Sequence, residues 1–126
     1  MNRLMTNTCS DNLIKSRDFY SKIFKLNIAF ESDWFIHLVA DNKNLELGII
    51  DRTNQIVPEE FQNKPQGFYI TFVVDNAYEI FNIAVAENFE IVQEPTDTFY
   101  GQRRVLLKDP DGTLIDVSSP IKNFSF

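Results

Sequence analysis

Two of the amino acids that most often bind metals are almost absent from this chain of 126 residues, which has one cysteine, Cys9, and one histidine, His37. A single cysteine excludes an internal disulfide and every zinc site that is built on a pair of cysteines. A single histidine excludes any site that needs two histidines from one chain. These two counts exclude several classes of protein, and no single motif in the sequence is as informative.

Positive charge and long apolar runs are also scarce. The chain has 12 lysines and arginines against 18 aspartates and glutamates, a net charge of −6, and its only basic pair of note is Arg103–Arg104. Such a chain repels phosphate backbones, so we expect no nucleic-acid partner. No apolar run approaches the ~20 residues of a membrane span, and the first residues lack the apolar segment of a signal peptide. We expect a cytoplasmic protein without a membrane partner.

The chain contains an internal repeat. Asp11-Asn12 and Asp75-Asn76, 64 residues apart, each follow a strand-like run and precede a helical pattern. Both asparagines and aspartates are good helix N-caps. Alternating apolar residues then predict three further strands in each half. The pattern therefore indicates a strand–helix–strand–strand–strand module that occurs twice.

The later part of the repeat places one acid in each half. The polar turns at Asp41-Asn42 and Asp111-Gly112, 70 residues apart, are each followed by a strand, and the acids are Glu46 and Asp116. We predict one domain over residues 1–126. It consists of module one at 1–50, a linker at 51–66, module two at 67–120 and a C-terminal tail at 121–126.

Two segments carry a family resemblance. "SDNLIKSRDFYSKIFKLNI" is similar to the opening Asp-Leu-x-x-Ser-x-x-Phe-Tyr signature of the vicinal oxygen chelate superfamily, and "YGQRRVLLKDPDGTLIDVSSP" resembles its closing signature. This superfamily includes glyoxalase I, bleomycin resistance proteins and extradiol dioxygenases. The resemblance implies an α+β fold of two tandem βαβββ modules that form a concave mixed sheet around a pocket. It also implies a homodimer.

The resemblance implies four metal positions, which in this chain are Met5, Glu46, Tyr69 and Asp116. A thioether is a poor ligand for Mn, Ni, Zn or Fe(II), and a phenol with a pKa of ~10 is a weak one. Only two carboxylates remain, which can hold a hard cation loosely. We considered a divalent metal on Glu46 and Asp116, and we predict neither a metal nor another cofactor.

His37 is the one residue that would improve this ligand set. The offset of 70 pairs His37 with Leu107 and predicts that His37 packs toward the helix. A slip of one residue in register would reverse this orientation. The same offset of 70 predicts that Phe35 and Val39 also face the helix, and that Trp34, Ile36 and Leu38 face the pocket.

Strand alternation then gives a set of candidate ligand-binding residues. Met5, Trp34 and Tyr69 would form an apolar wall suited to a planar or amphipathic molecule. The carboxylates could be substrate contacts, proton-transfer groups or merely solvated acids, and Cys9 could be a reactive thiol or a small buried side chain. The full set is Met5, Asn7, Trp34, Glu46, Tyr69, Thr71, Arg104 and Asp116.

Three functions are compatible with these patterns. The first is metal-free binding of a small aromatic or cationic molecule, as in proteins of the bleomycin-resistance type. The alternative is a metal-dependent lyase, isomerase or dioxygenase with an altered ligand set that includes His37. A structural or regulatory dimer with a vestigial pocket is the third. Whether the chain is an enzyme stays open, because one scaffold hosts many chemistries.

Overall fold

The structure is a computed structural model that describes residues 1–122 and 124. Of the predicted tail at 121–126, residues 123, 125 and 126 lie outside the described part. The chain divides into two compact units. The first contains Met1–Gln66 with the turn Pro110–Gly112, and the second contains Gly67–Asp109 with the residues from Thr113 onward.

The first unit has the order strand, helix and three strands. Strands β1 and β4 pair in parallel, whereas β2 with β3 and β3 with β4 are antiparallel, which gives a mixed sheet in the order β1-β4-β3-β2. The elements are β1 at Thr6–Ser10, α1 at Leu13–Phe24, β2 at Asn27–Glu31, β3 at Phe35–Val39 and β4 at Glu46–Asp51. A short 3-10 helix over Glu59–Phe61 lies in the predicted linker.

The second unit repeats this arrangement, with the sheet order β5-β8-β7-β6 and a parallel pair of β5 and β8. Its elements are β5 at Tyr69–Val73, α2 at Ala77–Ala86, β6 at Glu90–Asp97, β7 at Gln102–Lys108 and β8 at Leu114–Pro120. The predicted α+β class with two βαβββ modules is confirmed. Neither helix in the described part of the chain has the length and apolar character needed to cross a membrane.

The helices begin at the predicted caps. The Asn12 side chain accepts a hydrogen bond from the backbone N–H of Lys15 at 3.0 Å, and Asn76 accepts one from Tyr78 at 3.0 Å. These bonds satisfy donors that a helix start leaves unpaired. Helix α1 ends at Phe24, and its C-cap residue Lys25 has a φ of 54°, in the left-handed region that favours glycine.

The turn between β7 and β8 belongs by its contacts to the first unit. Asp111, which is 7% exposed, accepts hydrogen bonds from the Asp11 backbone N–H at 2.9 Å and from the Ser16 hydroxyl at 2.6 Å. Asp111 therefore has a structural role at the start of helix α1.

One face of the first sheet packs on α1 and the other stays open. Ile36 and Leu38 on β3 have no exposed surface, whereas Phe35, His37 and Val39 are only partly buried. Successive side chains of a strand point to opposite faces, so Ile36 and Leu38 lie on the helix side and His37 lies on the open side. The predicted orientation of this strand, with His37 toward the helix, is wrong.

The register gives the reason for that error. Asn7 pairs with Gly48 and Gly48 with His37, whereas in the second unit Thr71 pairs with Asp116 and Asp116 with Leu106. The step from β3 to β4 at this row is one residue longer than the step from β7 to β8. His37 therefore corresponds to Leu106 rather than Leu107, and a one-residue slip changes the face of every side chain.

Candidate functional site

The open face of the first sheet carries a groove with a volume of about 400 Å³. Its lining comes from the beginning of β1, the beginning of β3, the end of β4 and the segment that follows β4. The ring centroids of Trp34 and Phe35 are 5.6 Å apart, so the two form one aromatic wall. The lining residues are Met5, Asn7, Cys9, Trp34, Phe35, Ile50, Ile56, Val57 and Pro58.

A network of polar bonds shapes the segment after β4. Asn54 accepts hydrogen bonds from the backbone N–H of Ile56 through its side chain and of Val57 through its carbonyl, both at 2.9 Å. The Gln62 amide donates to the Val57 carbonyl at 2.8 Å, and Arg52 donates to the Gln62 carbonyl at 3.0 Å. These bonds hold Ile56 and Val57 at the groove although the segment has little regular structure.

Gly48 allows two side chains to lie over strand β4. A Cβ at this position would come within 2.0 Å of the Asn7 Oδ1 and 2.9 Å of the Phe35 Cε1. Real Cβ atoms do not approach this closely, so a larger residue would displace both groups. Gly48 therefore leaves room for the Asn7 and Phe35 side chains to pack directly over the backbone of β4.

Cys9 is the one thiol in the groove. Its Sγ lies 3.9 Å from the Phe61 carbonyl oxygen, and burial raises the pKa of the thiol. The thiolate is the nucleophilic form, so a raised pKa leaves the side chain a weak nucleophile at neutral pH. Of the two predicted roles for Cys9, this environment favours the small apolar side chain.

Three polar side chains form a cluster on the same open face. His37 Nε2 lies 2.9 Å from Glu46 Oε1, and Arg3 Nε donates to Glu46 Oε2 at 2.6 Å. Arg3 Nη2 makes a second contact with Oε1. The bond with Arg3, followed by the bond with His37, lowers the pKa of Glu46 against the opposing effect of burial. Glu46 is therefore an ionised group whose two oxygens are both engaged.

The second unit holds a different polar cluster on the open face of its own sheet. The Asp116 side chain is 8% exposed, and its Oδ1 forms an ion pair with Arg104 Nε at 3.2 Å. The Thr71 hydroxyl donates to Asp116 Oδ2 at 3.0 Å, and the Ser118 hydroxyl donates to Oδ1 at 2.9 Å. Asp116 therefore has a hydrogen bond on each oxygen as well as a cationic partner.

The structure places seven of the eight predicted residues in three groups and leaves Tyr69 outside them. Met5, Asn7 and Trp34 line the groove of the first unit. Glu46 lies in the cluster with Arg3, and Thr71, Arg104 and Asp116 form the cluster of the second unit. Tyr69 is 54% exposed on the same strand as Thr71.

Several contributors were missed by reading the sequence. Phe35 and His37 were assigned to the wrong face. Arg3 gave no signal, because its partner lies 43 residues away. The length of the linker was the one available sign that the segment containing Ile56–Pro58 contributes to a site, and this segment lines the groove.

The positions implied for a metal do not supply a suitable donor set. The register also corrects the predicted equivalence of the two acids, because Gly48 pairs with Asn7 as Asp116 pairs with Thr71, so Gly48 and not Glu46 is the counterpart of Asp116. Glu46 is held by the Arg3 guanidinium, and Asp116 is paired with Arg104. A cation at either carboxylate would have to displace an arginine, and the thioether and phenol beside them are weak ligands. Among residues 1–122 and 124, no three His, Cys, Asp or Glu side chains are grouped so as to hold a metal ion.

Two βαβββ modules with mixed sheets and helix-free faces define the class of protein. The chain belongs to the glyoxalase/bleomycin resistance protein/dioxygenase superfamily, whose family model matches residues 4–117. A comparison with curated proteins gave no match.

Solved structures share the fold at low sequence identity. A glyoxalase/bleomycin resistance protein/dioxygenase family enzyme from Burkholderia phytofirmans superposes with a TM-score of 0.79 at 16% identity, covering 93% of this chain and 97% of that one. A hypothetical protein from S. aureus gives 0.78 at 21%, covering 94% of both chains. Lactoylglutathione lyase from Agrobacterium tumefaciens gives 0.71 at 16%, also covering 94% of both. At these identities the likeness concerns the fold alone.

Proposed function

We propose that the groove of the first unit binds a small organic molecule with a planar aromatic part and that this binding needs no metal. The observation that carries the proposal is the composition of the lining. Seven of the nine lining residues are apolar, with Trp34 and Phe35 side by side, and Asn7 offers an amide to fix orientation. Ligand sites in proteins typically combine such an apolar wall with a few polar groups.

The surroundings of the groove favour a neutral or cationic ligand over an anionic one. Asp33 precedes Trp34, and Glu59 and Glu60 follow Pro58, and all three acids are exposed. The net charge of −6 adds a long-range field of the same sign. A ligand with an aromatic ring and a positive charge fits both features.

The absence of a metal requirement is supported by the arginine on Glu46. That carboxylate is the only acid of the first unit at an implied metal position, and Arg3 contacts both of its oxygens. Cys9, with its raised pKa, offers no activated nucleophile in the groove. Binding without chemistry is therefore the simplest function for this set of side chains.

The proposal can be tested through Trp34, which is the only tryptophan of the chain. Its fluorescence should be quenched in a saturable way by acridine orange, a planar cation, and more weakly by anilinonaphthalene sulfonate, an aromatic anion. Truncation of Ile56 to alanine should weaken acridine orange binding by about 5- to 10-fold, because about 1 to 1.5 kcal/mol of apolar contact is lost.

A matched control is available on helix α1. Ile14 is 49% exposed and Ile56 is 65% exposed, so neither substitution removes core packing. Ile14→Ala should leave the titration unchanged. Unsaturable quenching, or equal losses in the two variants, would show that the dye does not occupy the groove.

A second candidate function is metal-dependent lyase, isomerase or dioxygenase chemistry. One observation favours it, since His37 lies on the open face and contacts Glu46 at 2.9 Å. Chelator-treated protein should then be unfolded thermally with Ni, Zn, Mn, Co or Fe(II), where binding at 100 times Kd adds about 2.7 kcal/mol. A shift that is lost in both His37→Ala and Glu46→Ala would replace the first proposal with this one.

We also propose a homodimer in the cytoplasm. Strand β2 is an edge strand whose five residues are all exposed, and Ile28 and Phe30 on it are 50% and 52% exposed. Apolar edge strands are commonly covered by a partner. Light scattering should give twice the chain mass of 14.7 kDa, and Phe30→Lys should return the monomer mass. Fractionation of cells should recover the protein with cytoplasmic markers.

A further inference from the structure

Arg104 differs from every other arginine in how its guanidinium is used. It forms an ion pair with Asp116 through Nε at 3.2 Å, and within the described part of the chain its two terminal amino groups make no hydrogen bond. The other four place a terminal amino group on an acceptor: Arg3 on Glu46, Arg17 on Glu31 and Asp18, Arg52 on the Gln62 carbonyl, and Arg103 on Asp97.

The Arg104 guanidinium is partly buried beside a fixed carboxylate. The side chain is 26% exposed, and its buried Nε lies 3.2 Å from Asp116 Oδ1 as an ion pair without a hydrogen bond. Asp116 is itself fixed by Thr71 and Ser118. The guanidinium therefore keeps its position without a partner on its outer edge, and little side-chain freedom remains to be lost when a ligand binds.

The neighbours of Arg104 on the sheet form a small polar surface. Its cross-strand partners are Thr96 on β6 and Ser118 on β8, and Ser118 in turn pairs with Val73 on β5. Thr96 and Val73 are exposed, so this row of the open face is accessible. The Ser118 hydroxyl donates to Asp116 and the Thr96 hydroxyl donates to the Glu94 carbonyl, so on this row the guanidinium is the group that can donate to an anion.

We propose that the outer edge of Arg104 binds the carboxylate of a small organic anion on the open face of the second sheet. The two terminal amino groups of an arginine match the two oxygens of a carboxylate in a bidentate pair. The proposal uses residues of the second unit only, and its success or failure does not depend on the function proposed for the groove of the first unit.

The charges around the site select a singly charged ligand. Asp116 offsets one positive charge, and Lys108, the other cation on this strand face, is paired with Glu90 at 3.0 Å. A phosphate dianion at this site would contact a single cation, Arg104, whose charge Asp116 partly neutralises. The second negative charge of the phosphate would therefore gain no partner, and the phosphate would bind no better than a carboxylate. The site is therefore assigned to a monoanion.

The probe is benzoate, with benzamide as a neutral molecule of the same shape and phenylphosphonate as a dianion. Binding is measured by calorimetry and by the Nε–Hε resonances of the arginines in the folded full-length protein. Benzoate should shift the Arg104 resonance in a saturable way, and benzamide should not. Phenylphosphonate should bind no more tightly than benzoate.

Arg104→Lys keeps the positive charge beside Asp116 but removes the pair of terminal amino groups that could bind both carboxylate oxygens. It should weaken benzoate binding at least 10-fold. Arg103→Lys is the matched control, because the neighbouring guanidinium is already occupied by Asp97 through two bonds. Its benzoate affinity should stay within 2-fold of the wild type.

Three results would overturn the assignment. Equal affinity for benzamide would show that the anion is not recognised, tighter phenylphosphonate binding would refute the choice of a monoanion, and an equal loss in Arg103→Lys would place the site elsewhere. If Arg104→Lys fails to fold, the resonance shifts of the wild-type protein test the proposal instead. A benzoate-induced shift at Arg104 supports it, and a shift at Arg103 rather than Arg104 contradicts it.

Discussion

Replacing Asp116 with alanine should destabilise the protein by about 2 to 3 kcal/mol. Removal of one partner from a fully buried ion pair costs about 3 to 5 kcal/mol, because the remaining charge is left uncompensated. The Arg104 side chain is 26% exposed and can be partly hydrated, so the expected value lies below that range. The buried Ser118 hydroxyl also loses its acceptor.

Urea unfolding monitored by circular dichroism measures this change in the free energy of unfolding. In a separate thermal unfolding experiment, the melting temperature should fall by about 8 to 12 °C for a chain of this size. A double-mutant cycle with Arg104→Met should give a coupling of about 1 to 2 kcal/mol. Asp97→Ala is the matched control, since the Asp97 side chain is 53% exposed beside Arg103. Exposed pairs contribute less than about 1 kcal/mol.

A loss below about 0.5 kcal/mol in Asp116→Ala, together with no coupling to Arg104, would refute this reasoning. The carboxylate would then be dispensable for folding, and its position on the open face would have to be explained by a ligand. Comparable losses at Asp97 and Asp116 would likewise show that burial does not distinguish the two pairs.

Three further substitutions test other parts of the structure. Lys25→Gly should raise the free energy of unfolding by about 1 kcal/mol, because the φ of 54° is unfavourable for a side chain; an unchanged urea midpoint would contradict this. Gly48→Ala should move Asn7 and abolish dye binding in the groove while the protein stays folded by circular dichroism. The pKa of Glu46 is lowered in the folded protein, so its pair with Arg3 stabilises the protein fully when the pH is above 4.5, the ordinary carboxyl pKa. This stabilisation is lost as the pH falls through the lowered pKa that Glu46 has in the folded protein. Arg3→Gln should therefore be less stable than the wild type at pH 6 and equal to it near pH 2, and a constant difference would contradict the linkage.

Local features of the sequence were good predictors of the elements. Asn12 and Asn76 cap the helices as expected, and each half contains the three further strands that alternation predicts. Caps and alternation act over a few residues, so they can be recognised without knowing the partner strand. Strand β6 at Glu90–Asp97 contains Pro95, which an edge strand tolerates.

The site was less predictable because its contacts join distant residues. Met5, Asn7 and Trp34 were placed in a pocket by alternation alone, and they line the groove. The orientation of His37 failed because it was copied from the other module across loops of unequal length. The partners of the carboxylates could not be predicted, since a charged residue has many equally probable partners in the sequence.

The sequence by itself determined the family, the α+β class and the order of elements in both modules. It also ruled out sites that need paired cysteines or histidines, because those counts do not depend on conformation. The tertiary structure decided which face His37 occupies, that Arg3 contacts Glu46 across 43 residues, and that Arg104 keeps two amino groups unused. These features depend on the register between strands and on loop lengths, and both are set by packing and hydrogen bonds between segments far apart in the chain.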